Sequence, residues 1–157
     1  MKITLLSIGK TDNGYLKEGI SEYLNRLRHY TSFEIIEIPA LKKASSLTPE
    51  IIKQKEADLI LKHLKTGDFV VLLDENGKQM SSKDFSVFLQ KKMNSSTKEI
   101  VFVVGGAWGF GQRLQERANY KLSLSKMTFS HQMVRLFFIE QLYRAFTILR
   151  GEAYHNE

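Results

Sequence analysis

Four of the seven residues Gly105-Gly106-Ala107-Trp108-Gly109-Phe110-Gly111 are glycine, and they follow directly on the apolar run at 100–104. Glycine admits a positive φ and lets a ligand approach the main chain closely. In open α/β sheets, ligands bind beyond the carboxyl ends of the strands, which is where such a loop falls. A tight packing turn is the alternative. Two phosphate-reading motifs are excluded by spacing. A dinucleotide fingerprint needs G-x-G-x-x-G and an acid about 20 residues on. Here the order is G-G-x-x-G-x-G, and His131 stands at the acid's place. Gly9-Lys10-Thr11 imitates the end of a phosphate loop, but that loop needs glycine where Thr4 stands. A nucleoside held by main-chain groups fits the loop better than a phosphate.

A second segment, Leu122-Ser123-Leu124-Ser125-Lys126-Met127-Thr128-Phe129-Ser130-His131, mixes small polar residues with Met127 and Phe129. It can wall an adenine pocket with apolar faces and main-chain hydrogen bonds. An ordinary strand-to-helix connection would read the same way.

These loops need a frame. Residues 2–8 read as a buried strand ended by Gly9. Residues 14–30 place Leu16, Ile20, Tyr23, Leu24 and Leu27 at helical spacing. A strand at 33–38 stops at Pro39, and 40–47 reads as a mobile basic loop. Thr48-Pro49 starts a helix expected to reach about Leu64. FVVLL (69–73) is a strand, 74–78 a turn, and Ser81 to Asp84 a capping motif for a helix to about Met93. A strand at 100–104, a short helix at 112–118 and a strand at 120–125 follow. The last helix is expected from about His131 to Leu149, with Ser130 as its N-cap. Strands alternating with helices predict an α/β fold with a mainly parallel sheet flanked by helices. With no linker or repeat, residues 1–157 read as one domain.

The last helix is apolar on most faces, with Glu140, Gln141 and Arg144 as a narrow polar strip. Such a helix must be buried nearly all round. A homodimer through it is the expectation, and a central core helix the alternative. The chain has 157 residues, 23 Lys+Arg against 17 Asp+Glu, a net charge of +6 and no cysteine. The absence of cysteine excludes disulfides, thiolate nucleophiles and Cys-ligated metals, and no metal is expected. No segment has the length of a membrane span, and the N-terminal apolar run is too short for a signal peptide. A cytoplasmic location follows as an expectation. The basic surplus favours a polyanionic partner, RNA foremost, with solubility alone as the alternative.

VFVVGGAWGFG (101–111), LSLSKMTFSHQMVRLFFIEQLYRAF (122–146) and RGEAYHNE (150–157), with KITLLSIGK (2–10) and FEIIEIPA (33–40), resemble the bacterial ribosomal RNA large-subunit methyltransferase H family. The resemblance covers essentially the whole chain. It implies a SPOUT-class α/β knot, with a trefoil knot near the C-terminus. The implied activity is methylation of N3 of a pseudouridine in large-subunit ribosomal RNA, with the assembled ribosome as substrate. The implied cofactor is S-adenosylmethionine, held by backbone groups of Leu73, Gly105 and Leu124, Ser125, Lys126, Met127, Thr128 and Phe129. The implied working unit is a homodimer that shares the RNA site. Ala107-Trp108 departs from the small or polar residues usual in the glycine loop, and Ser130 stands where the family often has proline.

Methyl transfer from a sulfonium is an in-line displacement, so catalysis is largely positioning. A uracil-type N3 must lose a proton, which asks for a base or for cations that stabilise the anion. The candidates are His131, His155, Arg135 and Arg144. The resemblance gives Tyr154 and His155 the contact with RNA and the target base. His131 reads rather as a capping or supporting residue, and Arg135 and Arg144 as charge neutralisers, with Arg144 also spaced to pair with Glu140. Lys42 and Lys43 could help grip RNA or form a solvated loop. Two other readings remain: an RNA-binding ribosome-assembly protein with a vestigial cofactor pocket, and a nucleotide-binding regulatory module.

Overall fold

The computed structural model describes residues 1–156. Its frame is a five-stranded, wholly parallel sheet in the order β2-β1-β4-β3-β5. The strands are β1 (Lys2–Ile8), β2 (Ser32–Ile38), β3 (Phe69–Gln79), β4 (Glu99–Val104) and β5 (Tyr120–Ser123). The helices are α1 (Gly14–Leu27), α2 (Pro49–Leu61), α3 (Ser82–Met93), α4 (Gln112–Arg117) and α5 (Met133–Leu149). The central strands are buried on both sides, as continuous apolar runs in a parallel sheet must be.

Side-chain alternation sorts each strand between two cores. Ile3, Leu5, Val71, Ile100, Phe102 and Val104 face α1, α3 and α5. Leu6, Ile8, Val70, Leu72, Val101 and Val103 face α2 and α4. Shifting β4 by one residue would exchange its two faces, so its register is fixed by this packing. The result is three layers, helix on sheet on helix.

Local chemistry starts two helices as expected. The Thr48 hydroxyl accepts the Ile51 N–H at 3.3 Å, with Pro49 at the first helical position. Ser81 and Asp84 form a reciprocal capping box at α3. The start of α5 is corrected: it begins at Met133 with Gln132 as N-cap and no side-chain capping bond, and the Ser130 hydroxyl accepts the Met133 N–H at 3.1 Å across the turn at 131–132. The expected basic loop at 40–47 contains a short 3-10 turn at Ala44–Ser46, and Lys42 and Lys43 are exposed. The helix ends at Leu27 and Leu61 fall three residues short of expectation.

The expected turn at 74–78 is corrected. The chain leaves the β5 ladder after Leu73 and rejoins it at Lys78, both residues pairing with Leu122. Turn chemistry is present, since Asp74 Oδ1 accepts the Asn76 N–H at 3.0 Å. The ladder then resumes because Gly77 lets two backbones touch. A Cβ there would stand 2.7 Å from the Lys121 carbonyl carbon and oxygen.

α5 packs between α1 and α3 over the sheet, and Phe138, Ile139, Leu142 and Ala145 are fully buried. Much of its apolar surface is thus covered within the chain. Phe137 remains 39% exposed and packs against Phe129. No helix among the described residues is long and apolar enough to cross a membrane.

Candidate cofactor cleft and C-terminal cluster

The excursion within β3 and the segments that follow β4 and β5 enclose a cleft of about 650 Å³. That lies within the roughly 300–1,000 Å³ of ordinary small-molecule sites. Leu73 and the 74–76 excursion form one wall, the glycine loop the second, and Leu124 to Val134 the third. Seven of the eight expected cofactor residues, namely Leu73, Gly105, Leu124, Ser125, Met127, Thr128 and Phe129, line it. Lys126 points away and lines a neighbouring hollow with Glu75, Asn76 and Gln79.

The glycine loop is a turn. Gly109 adopts φ +87°, which an L side chain rarely does, and its N–H donates to the Gly106 carbonyl at 3.1 Å. Ala107 and Trp108 sit at the tip, and Trp108 is 56% exposed. Its ring stands on the wall of the open cleft and does not plug it. The third wall is held by its own small polar groups. The Ser123 hydroxyl donates to the Ser125 carbonyl at 2.8 Å, and the Ser125 hydroxyl accepts the Met127 N–H at 3.0 Å. The Thr128 hydroxyl donates to Glu75 and ties this wall to the first.

His131 lines the cleft. Burial and the charge of Arg135 push its pKa below the usual imidazole value, with Asp12 opposing them. The neutral ring is therefore favoured at pH 7. Arg135 itself does not line the cleft. It is 1% exposed. Its Nη2 donates to the Ile8 carbonyl at 2.9 Å. Its Nη1 reaches the Gly9 carbonyl at 3.0 Å, and Thr11 Oγ1 and Glu37 at 3.2 Å. Its Nε donates to the His131 carbonyl at 3.2 Å. The guanidinium thus clamps the ends of β1 and β2 to α5.

The other three expected chemical residues form a separate cluster. Arg144 Nη2 donates to Glu140 Oε1 at 2.8 Å, and Arg144 Nη1 lies 3.3 Å from His155 Nδ1. The Tyr154 hydroxyl donates to Glu140 at 2.9 Å and lies 3.1 Å from the Tyr23 hydroxyl. Burial, with the bonds to Tyr23 and Glu140, holds the Tyr154 phenol above its usual pKa, so it stays protonated. Its ring packs edge-on against Tyr143 and under the Arg144 guanidinium. Tyr154 thus turns inward, and His155 is half-buried beside Arg144.

Arg144, Tyr154 and His155 do not line the 650 Å³ cleft. Glu140 lines an adjoining groove that shares Leu124 and Phe129 with it. Sequence reading missed the Tyr23 contact, for which no local signal exists. It also missed Glu56, buried on α2 behind the glycine loop. There a signal was present: an acid between Ile52 and Ile60 on one helical stripe. Among the described residues no group of three or more His, Asp or Glu is placed to hold a metal.

The family described as "Predicted SPOUT methyltransferase" matches residues 1–155. A protein of Parabacteroides distasonis is 56% identical over 157 residues, covering all of both chains. One of Christiangramia forsetii is 56% identical over 156 residues, covering 99% of each. One of Bacteroides fragilis is 50% identical over the full length of both. All three are named "Ribosomal RNA large subunit methyltransferase H". Among solved structures, "The structure of a probable methylase family protein from Haemophilus influenzae Rd KW20" superposes with a TM-score of 0.53 at 8% identity. The match covers 99% of this chain and 70% of that one, and it shows likeness of fold.

Proposed function

The chain belongs to the SPOUT methyltransferase family, and from that premise we propose that it methylates N3 of a pseudouridine in large-subunit ribosomal RNA, with S-adenosylmethionine as methyl donor. The observation that carries this reading is the cleft between the β3 excursion and the segments that follow β4 and β5, walled by main chain and apolar side chains. The donor set fits a nucleoside. Leu73, Leu124, Phe129 and Val134 offer apolar faces, and the glycine loop offers bare backbone with no ionisable side chain. The relatives' shared name supports ribosomal RNA as substrate.

When bound, the cofactor supplies a methyl group on a positively charged sulfur. The chain's own part is to bind, orient and exclude water. Leu73, Gly105 and the 124–129 segment hold the nucleoside through main-chain groups. Arg144 and His155 meet the target base, Arg144 offering positive charge to the developing anion and His155 taking the N3 proton. Tyr154 holds that pair through Glu140. Arg135 serves the fold and supports the third wall through His131.

His155 and the cleft stand apart within one chain, so the working unit of this proposal is a homodimer. One subunit's C-terminal cluster then serves its partner's cleft, and the exposed Phe137 side of α5 takes part in the interface. The trefoil knot, the cytoplasmic location and the assembled ribosome as substrate belong to the same proposal.

Nucleoside mass spectrometry of ribosomal RNA from cells with and without the gene tests the activity. Loss of N3-methylpseudouridine is the expected result, and an unchanged nucleoside profile refutes it. Deleting residues 153–157 is expected to abolish methylation while cofactor binding, read by calorimetry, persists. Full activity of the shortened chain would overturn the role given to Tyr154 and His155.

A further inference from the structure

Glu56 sits on the α2 face that carries Ile52 and Ile60, and it is only 9% exposed. Its Oε1 has no hydrogen-bond partner. A buried carboxyl oxygen left unpaired is costly, so its presence asks for a reason. Both oxygens press on the glycine loop. A Cβ at Gly106 would stand 2.6 Å from Oε1 and 2.7 Å from Oε2. Gly106 lines the cleft, and so does Lys53, one helical turn before Glu56. A single residue of backbone therefore separates the carboxyl from the cleft.

We infer that Glu56 is the charge-selecting residue of this cleft, favouring a sulfonium donor over the neutral thioether that remains after methyl transfer. The inference rests on the cofactor reading given above. Burial pushes the Glu56 carboxyl above the usual carboxylate range, and no neighbouring charge contributes to that shift. On its own helix, Lys53 pairs with Glu50 at 3.2 Å. On α4, Arg113 pairs with Asp58 at 2.6 Å and Glu116 accepts from Gln112 at 3.0 Å. The glycine loop has no ionisable side chain. Leu6, Ile8, Val70, Leu72, Val101 and Val103 on the sheet face under α2 are apolar, with Glu99 at the far end of that face held by Thr4. Across the cleft stand Asp74, Glu75 and His131.

Lys53 is engaged by Glu50, and burial biases the Glu56 carboxyl toward its protonated form. A positive charge brought into the cleft favours the carboxylate, and the proton leaves to solvent. The neutral thioether gives no such reward, so product is held less tightly than donor. A residue that served packing alone would not distinguish the two ligands, because they differ by one methyl group and one charge.

The test is isothermal titration of the full chain with S-adenosylmethionine and with S-adenosylhomocysteine. Each is run in two buffers of different ionisation enthalpy, from about pH 5 to about pH 8, so that proton release is counted directly. The parent chain is expected to release protons with the methyl donor and to release fewer with the thioether. In Glu56→Gln the difference shrinks by the share that Glu56 supplies. The donor then binds about tenfold more weakly, the equivalent of one pKa unit of coupling, and the thioether is unchanged. Proton changes arising at Asp74, Glu75 or His131 persist in the variant and cancel in the comparison. Equal proton counts for the two ligands in the parent chain overturn the inference, even should the variant fail to fold. So does an unaltered donor-to-thioether ratio in a folded Glu56→Gln. No heat from either ligand would sink the cofactor reading itself, and this inference with it.

Discussion

Replacing Arg135 by methionine separates a residue that holds the fold from one that acts on substrate. The side chains are similar in length, but methionine donates nothing. The guanidinium gives hydrogen bonds to the carbonyls of Ile8, Gly9 and His131, to the Thr11 hydroxyl and to Glu37. Each buried acceptor left unsatisfied costs about 1–3 kcal/mol. Breaking a buried ion pair costs about 3–5 kcal/mol, but the Glu37 side chain is 36% exposed and regains water. The contacts also overlap, so a simple sum overshoots. A loss of about 3–4 kcal/mol is expected, against a total stability of about 5–15 kcal/mol for a protein of ordinary stability. At this chain length each kcal/mol lowers Tm by about 2–4 °C, which gives a fall near 10 °C. Urea titration and calorimetry measure it. Arg135→Lys retains the charge but cannot span five acceptors, and it is expected to recover part of the loss. An Arg135→Met variant with unaltered melting and abolished methyl transfer would refute the reasoning, because the guanidinium would then be acting on substrate.

Gly77→Ala forces a methyl group into the Lys121 backbone. It is expected to cost about 1–3 kcal/mol in urea unfolding and to weaken cofactor binding, because the β3 excursion walls the cleft. An unchanged midpoint would show that the two strands can separate there without penalty. Glu56→Gln alters stability with a definite sign. Burial raises the native carboxyl above its ordinary value of 4.5, so the native state binds the proton more tightly than the unfolded chain does. Parent stability therefore falls as pH rises through that interval, and the variant is spared the loss. The variant should melt higher than the parent near neutral pH, and the gap should close below the ordinary carboxyl value. A gap independent of pH contradicts this. Tyr154→Phe removes the bonds to Glu140 and Tyr23, at about 1–2 kcal/mol. Faster amide exchange at 153–156 and slower methyl transfer are expected, with cofactor affinity unchanged.

The strands and helices were legible because each carries its own period and its own caps. Thr48 and Ser81 cap in the structure as their types and positions imply, while Ser130 sits too early, before the turn at 131–132, and Gln132 takes the N-cap position of α5. The glycine loop and the 122–131 segment announced a ligand site through composition, and the fold brings them to one cleft. Residues whose meaning depends on distant partners were not legible. Nothing near Leu73 in sequence says that β3 will rejoin β5 beyond a polar turn, because the enabling contact is between Gly77 and Lys121. Arg135 reads from sequence as a charge neutraliser, but its five acceptors come from loops and strands more than a hundred residues away, apart from Glu37 and its own turn. Tyr154 carries an RNA contact in the reading from resemblance, and nothing in its neighbourhood of the sequence points to its anchor, Tyr23 on the first helix.

The strand order has a consequence for how the chain acquires its shape. β1 is flanked by β2 and β4, and its ladder with β4 joins Lys2 to Glu99. One edge of β1 therefore stays bare until the chain has been made past Glu99. The Arg135 clamp and the Tyr23–Tyr154 bond close later still. Loops this long make assembly slow. An unfinished chain shows an open strand edge to its neighbours throughout that wait, so chaperone demand during translation should be high for a protein so small.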